Sequence, residues 1–514
     1  MSVDTLRETF HINRITPDKI QDFLTAQTYR SEITKAKEDI KALPWVFLQH
    51  VCKRPIRQGK SPSYADDTGL LCIKPKHTNE MIVSLEELSY IQSASKEEVA
   101  GQRLQRGDIV ITRSGSGTIG RASIFLSDEE VYTNDHLFIV RTDSVDSHYT
   151  CAFLNTYWGH RLLEAGISGS TGQLNLSNEH IKGITLYTPA ELAQKYIGDK
   201  VRQAERLQAC ANALSTSIAE HFSGLVKNPM PARVSWVAKT EDLDSYRINP
   251  KQYDPVVLDL IQRAKDKCAR LDPLSALVGV RQIAGGATPK GAKYFDKGIL
   301  FARVQNVKPL RLDLSDVVYI DQLADEELAR SRCAADDIIL TITGYPGTAS
   351  LVAEEDLPVN INQHSVRFNI KEGVDPGYIC AALNSKFLKY QVDRLAIGGT
   401  RDALDYPSVG RLLIPRYESE VEKNVGEQAR CVNAAIKLSQ RLTTAAKLLV
   451  EALIKGQLTE AELLTAEKAL QAGSDRLDRF ILSRLNTDGI DGLGPALFSD
   501  LDELYNLLTL AEED

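Results

Sequence analysis

The sequence predicts an α+β chain of two tandem β-rich modules, each followed by a long helix. Three observations predict it. A stretch beginning at residue 107 recurs at residue 336. Short apolar runs separated by Gly, Asn and Ser turns fill the neighbourhood of both copies, which is the pattern of strands. Two long runs, 190–226 and 418–455, repeat apolar residues at steps of three and four, which is the pattern of an amphipathic helix.

The repeat is extensive. "GDIVITRSGSGTIGRASIF" (107–125) aligns with "DDIILTITGYPGTASLV" (336–352) at a shift of 229, taking Asp108 onto Asp337 and Gly115 onto Gly344. "YTNDHLFIV" (132–140) aligns with "NINQHSVRF" (360–368), taking Asn134 onto Asn362 and His136 onto His364. "YTCAFLNTYWGHRL" (149–162) matches "YICAALNSKFLKYQ" (378–391), and "GSTGQLNL" (169–176) matches "GGTRDALD" (398–405). Upstream, "GKSPS" (59–63) matches "GATPK" (286–290), and "GLLCIKPKHTN" (69–79) matches "GILFARVQNVK" (298–308). The period is too long for a solenoid.

In order along the chain, residues 1–43 read as a polar helical lead-in whose "FHINRIT" echoes "YRINPKQ" at 246–252. Residues 44–189 are the first module, with strands at Ile109–Thr112, Leu137–Val140 and Ile184–Tyr187 and a helix near 149–165. Residues 190–233 are the first long helix and a linker, "KNPMPAR". The helix stripe is Ile197, Val201, Ala204, Leu207, Ala211, Leu214, Ile218, Phe222 and Leu225. Residues 234–415 are the second module and 416–456 the second long helix, striped by Val421, Val425, Val432, Leu438, Leu442, Ala445, Leu449 and Leu453. The two stripes are expected to pack as an antiparallel coiled coil, holding the modules apart like a ruler. Residues 457–514 are an acidic helical tail, broken at "TDGIDGLGP".

Charge follows the same division. The chain carries −8 overall, but 456–514 hold thirteen acids and four bases, so the body is close to neutral with local basic clusters. Three readings of the tail stay open: a solvated appendage, a dock for a partner, or a DNA-like decoy over the recognition surface. The N-terminal residues carry charges throughout and resemble no signal peptide, and no stretch is apolar enough for a membrane. The eight cysteines are scattered without a C-x-x-C pair, which fits a reducing cytoplasm.

Gly115-Ser-Gly117-Thr-Ile-Gly120 matches G-x-G-x-x-G. A dinucleotide loop needs a helix N-terminus after it to hold the pyrophosphate. Here "RASIFL" follows, strand-forming instead, and the second copy reads Gly344-Tyr-Pro-Gly-Thr-Ala349. The glycines are therefore expected in a β-turn, where they supply positive φ. No N/D-P-P-Y/F methylase motif occurs; Asn249-Pro250-Lys251 lacks the second Pro and the aromatic that would stack on a flipped base. There is no P-loop, and the nine histidines show no metal-ligand spacing. The expectation is a chain without catalysis, cofactor or metal of its own.

What the modules offer is recognition. Arg can bind guanine bidentately, Gln or Asn can bind adenine, and Lys contacts phosphate. The second copy places Lys290, Lys293, Tyr294, Arg303, Gln305, Asn306 and Lys308 on turns, with Thr343, Tyr345, Thr400 and Arg401 on two later loops. The first copy offers Arg57, Lys60, Lys74, Lys76, His77 and Asn79, then Arg113 and Ser114, then Ser170, Thr171 and Gln173. Each alone is an ordinary loop residue; the set, occurring twice in register, favours DNA reading.

"IAGGATPKGAKYFDKGILFARVQNV" (283–307), "DDIILTITGYPGTASLV", "NINQHSVRFNI" and "RLLIPRYESE" resemble the specificity subunit of a type I restriction–modification system, the likeness covering about residues 40–455. The first copy departs from that pattern at "RPIRQGKSPSYADDTGL". The resemblance implies two target-recognition domains and a bipartite, asymmetric double-stranded DNA target. It also implies two adenine-N6 methylase subunits that bind S-adenosylmethionine, and optionally ATP- and Mg-dependent restriction subunits as translocases. A scaffold subunit of a related phage-defence methylase complex and a degenerate methylase or nuclease are the alternatives.

Overall fold

A computed structural model describes residues 15–513 apart from 18, 19, 21–25, 79, 80, 116, 170–173, 228, 232–234, 239, 241, 242, 244–248, 290, 292 and 399–401. It is α+β and divides into two compact units, 1–208 with 437–514 and 209–436. The division falls inside both long helices, Glu191–Ser223 and Ser419–Ile454.

In the first unit, strand Trp45–Phe47 pairs antiparallel with Thr185–Tyr187 and ties together the ends of the segment between them. Two four-stranded sheets lie within. One orders Tyr64–Ala65, Ser89–Ile91, Leu70–Ile73 and Val131–Thr133, the last two running parallel. The other orders Arg57–Gln58, Leu137–Val140, Ile109–Thr112 and Ala122–Ile124, all antiparallel. Ile73, Val110, Phe125, Val131 and Leu137 share a core. Ile109–Thr112 is buried along its whole length, which is why it reads as an unbroken apolar run and not as an alternation. The expected helix near 149–165 is two, Ser147–Leu154 and Tyr157–Glu164, because Thr156 leaves the first and caps the second.

The second unit repeats the plan. Arg270–Pro273 pairs with Leu413–Arg416; Val318–Ile320, Ile299–Ala302 and Val359–Ile361 form one sheet, and Ala284–Gly285, Ser365–Phe368, Ile338–Thr341 and Ala349–Leu351 the other. Again one pair, Ile299–Ala302 with Val359–Ile361, is parallel. The glycine stretch joins antiparallel strands in both copies, with Gly117 and Gly120 at φ 74° and 80° and Gly344 and Gly347 at 86° and 98°. No helix follows it.

Repetition reaches single atoms. The Tyr149 hydroxyl donates to the Tyr187 carbonyl at 2.8 Å, and that of Tyr378 to the Pro415 carbonyl at 2.5 Å. Asp146 caps helix Ser147–Leu154 and pairs with Arg202 of the first long helix; Asp375 caps Pro376–Leu383 and pairs with Arg430 of the second at 3.0 Å. Each long helix carries a glycine at the point of approach. A Cβ on Gly198 would lie 2.6 Å from an Asp146 carboxylate oxygen, and one on Gly426 would lie 2.0 Å from that of Asp375.

Both apolar stripes are buried except at Leu214, half-exposed, and Val421, exposed. The tail belongs to the first unit. Its helices Glu460–Gln471, Arg476–Ser483 and Leu501–Glu513 meet the first half of helix Glu191–Ser223 through a buried network. Lys200, 0 % exposed, donates to both Asp478 oxygens at 2.6 and 2.8 Å. Tyr196 donates to Asp478 at 2.5 Å, and Tyr505 adds a further bond. The Ala190 N–H donates to Glu460 at 2.9 Å and Lys195 to Glu467 at 2.7 Å. A solvated appendage would leave these groups in water; here Lys200, Tyr196, Asp478 and Glu467 are core.

Candidate nucleic-acid interface

In each module the two parallel strands end side by side, and a turn follows each end. After Leu70–Ile73, Lys74 opens a single 3₁₀ turn, Pro75–His77; after Ile299–Ala302, Arg303 opens Val304–Asn306. The last side chain folds back on the first residue. His77 Nδ1 accepts from the Lys74 N–H at 2.8 Å, and Asn306 Oδ1 accepts from the Arg303 N–H at 3.0 Å. Asn306 Nδ2 also donates to the Asp313 and Asp316 carbonyls, both at 2.9 Å. Both side chains are 2 % exposed. Burial, the main cause, lowers the His77 pKa, so the ring is neutral, and its Nε2 lies 3.4 Å from the Glu87 carbonyl. These two residues were expected to face DNA. They point inward, and their polar atoms brace the turn.

The neighbouring residues point outward. Lys76 is exposed and pairs with Glu87 at 3.4 Å; at the equivalent place Gln305 is exposed and donates to the Asp316 carboxylate at 2.7 Å. Arg303 donates to the Asp316 carbonyl at 2.8 Å. The Lys74 ammonium sits 3.8 Å over the Tyr64 ring, a cation–π contact that holds it beside the strand end. Lys308, Lys293 and Tyr294 are exposed, Tyr294 with its ring centroid 6.0 Å from that of Phe301.

The second strand end makes the other half of the surface. Asn134 Oδ1 accepts from the His136 N–H at 3.1 Å, and Asn362 Oδ1 from the His364 N–H at the same distance. These local turns are the physical reason for the repeated Asn; the donor is a backbone N–H, so they do not account for the His. Asn134 Nδ2 donates to the Tyr64 hydroxyl at 3.4 Å, and His136 bonds Ser114. Arg113 donates to the Asp135 carbonyl at 3.5 Å. Lys74, Tyr64, Asn134, His136, Ser114 and Arg113 thus form one connected surface in the first module. Lys60 joins it through Gln102, which accepts from the Lys60 N–H at 2.7 Å and donates to the Thr133 carbonyl at 2.6 Å. Arg57 is exposed on edge strand Arg57–Gln58, opposite Ile139. In the second module Thr288 bonds Gln363, the Ile342 N–H donates to the His364 carbonyl at 2.9 Å and Thr343 bridges to Ala403, so four loops converge; Tyr345 is 82 % exposed.

Asn79, Ser170, Thr171, Gln173, Lys290, Thr400 and Arg401 lie outside the described residues. The sequence reading passed over Tyr64, Gln102, Glu87 and Asp316. The repeat shift held a signal for the last two, since it carries Glu87 onto Asp316.

Among the described residues the surface holds donors and acceptors but no assembled catalytic group. Cys72, just before Lys74, has its thiol pushed up to about 12 by burial, so it is no thiolate nucleophile. Among the described residues no group of three His, Cys, Asp or Glu could hold a metal, and no helix is long and apolar enough to cross a membrane.

Among the solved structures this chain resembles are specificity subunits of type I restriction–modification systems. One is the S subunit from M. genitalium, at 12 % identity and a TM-score of 0.39, covering 81 % of this chain and 97 % of that one. Another is the HsdS subunit from Thermoanaerobacter tengcongensis, at 12 % identity and a TM-score of 0.27, covering 81 % and 97 %. A third, described in terms of complex assembly and conformational transition of the type I system, has 12 % identity and a TM-score of 0.28, covering 83 % and 98 %. No protein-family model matches the sequence, and no curated protein matches it significantly.

Proposed function

We propose that the chain is a sequence-specific DNA-binding specificity subunit. It reads a bipartite, asymmetric double-stranded target, one half-site per module, and directs partner adenine-N6 methylase subunits, and restriction subunits where they exist. One observation carries the reading. The same outward-facing turn occurs twice on the same frame, while the side chains at its reading positions differ, Lys74 against Arg303 and Lys76 against Gln305, as do Ser114 and Thr343 on the glycine loop. Identical frames with different donor sets suit two different base sequences. The long helices, as an antiparallel coiled coil, are the part shared with the methylases.

In this reading the chain is not an enzyme. S-adenosylmethionine, and ATP with Mg for restriction, are held by the partners, and the assembly works in the cytoplasm, where the DNA is. The support is the missing methylase and P-loop motifs together with a surface made of turns. The test is the methylome of cells carrying the chain with its methylase partners: adenine methylation should fall on one bipartite sequence. Methylation without sequence preference overturns the proposal.

A further inference from the structure

Asp316 does two jobs. Its backbone carbonyl receives Arg303 Nη2 at 2.8 Å and Asn306 Nδ2 at 2.9 Å, which builds the turn. Its carboxylate, largely exposed, receives Gln305 Nε2 at 2.7 Å, and the same oxygen pairs with Arg303 Nη2 at 3.4 Å. A carboxylate only accepts, so this bond fixes which end of the Gln305 amide faces Asp316. Nε2 keeps a second hydrogen, and Oε1 is left to accept. That is the donor and acceptor pair that adenine's N7 and N6 amino group require in the major groove.

The first module has the same two-turn frame. The Ser84 N–H donates to the His77 carbonyl at 3.0 Å, as the Asp313 N–H does to the Asn306 carbonyl at 2.8 Å. Glu87 faces Lys76 there, 3.4 Å away. Lysine has no acceptor, so the same carboxylate position cannot prepare an adenine reader in that copy.

We propose that Asp316 is a specificity-positioning residue: its carboxylate orients the Gln305 amide so that the second module reads an adenine at one position of its half-site. The inference rests on the proposed function above and adds to it a base and the residue that selects it.

The test is selection of bound duplexes from a randomised pool by the full-length chain. Wild type should enrich one bipartite sequence with an adenine lost in Gln305→Ala. Asp316→Ala should relax that same position at least roughly fivefold and leave every position that neither Gln305→Ala nor Arg303→Ala relaxes as it was. Removing a negative charge also raises affinity for all DNA at low salt. Asp316→Asn separates the two effects: it removes the charge, but its side-chain carbonyl still accepts from Gln305, so it should keep most of the adenine preference. Unchanged thermal unfolding in Asp316→Ala is expected, since the backbone carbonyl remains. If wild type enriches a bipartite sequence and Asp316→Ala enriches it equally, or if Gln305 governs a base other than adenine, this inference is overturned alone. If wild type enriches no sequence, the proposed function falls and takes the inference with it.

Discussion

Asp146 accepts from the backbone N–H groups of His148 and Tyr149 at 2.9 and 3.0 Å and pairs with Arg202. Burial alone would raise its pKa, but the hydrogen bonds and the Arg202 guanidinium outweigh it and hold the carboxyl at about 2. Its folded pKa is below the unfolded value of about 3.9. The stability it contributes is therefore present above about pH 4 and is lost as pH falls through about 2, an amount of about 2 kcal/mol. Chemical denaturation of wild type across that window should show the loss, and Asp146→Asn should lack this part of the slope; identical slopes would show that the pair does not couple to folding. On the binding surface, Arg303→Ala should weaken binding by roughly 1–3 kcal/mol and relax only the second half-site. Lys293→Ala should weaken all sequences alike and lower the salt dependence. Titrations against duplexes altered in one half-site at a time separate the two, and equal loss at both half-sites in Arg303→Ala would rule out modular reading.

At the scale of elements, the tail has the clearest consequence. The repeat is complete near Leu453, so sequence alone predicts that removing 457–514 leaves both modules folded. The packing changes that expectation. Truncation strips the whole network from the first long helix, whereas Asp478→Ala in the intact chain strands Lys200, which is 0 % exposed, and an uncompensated buried charge costs roughly 3–5 kcal/mol. The truncated chain should melt earlier, and hydrogen exchange should place the loss in 1–208, with 209–436 protected as before. Lys200→Met in the Asp478→Ala chain should recover part of that loss, because it removes the stranded charge. A truncated chain as stable as wild type would show that the network adds nothing. The helix glycines make a second element-scale case. Gly426→Ala drives a methyl group into the Asp375 carboxylate, so the second long helix must move off its module or the Asp375 cap must break. The parallel strand ends and their 3₁₀ turns recur in both copies for a simpler reason: each turn carries its own brace, His77 or Asn306.

For the whole molecule, the purified chain should show no methyltransferase, nuclease or ATPase activity, measured with labelled S-adenosylmethionine, plasmid DNA and ATP after complete removal of partner subunits. Activity that survives would end the specificity-subunit reading. Much of the architecture was legible in the sequence. The repeat, the fully buried strands, the glycine turn and the two helical stripes each depend on local pattern, namely which residues alternate, which are apolar and where positive φ is needed. Pattern of that kind survives in one dimension. What pattern could not decide was the direction in which a polar loop residue faces. His77 and Asn306 are polar loop residues like their neighbours Lys76 and Gln305, and Asn306 carries the same amide as Gln305. Only the fold, by bringing 84–87 and 313–316 against those turns, sends one residue of each pair inward and leaves the other exposed. The tail shows the same division. Its acidity and helicity are plain in the sequence, whereas the burial of Asp478 depends on Lys200, 278 residues earlier in the chain. Composition and periodicity determined the elements; the tertiary structure alone decided which charges are solvated and which are core, because burial depends on what packs against a residue, whatever its own sequence neighbours are.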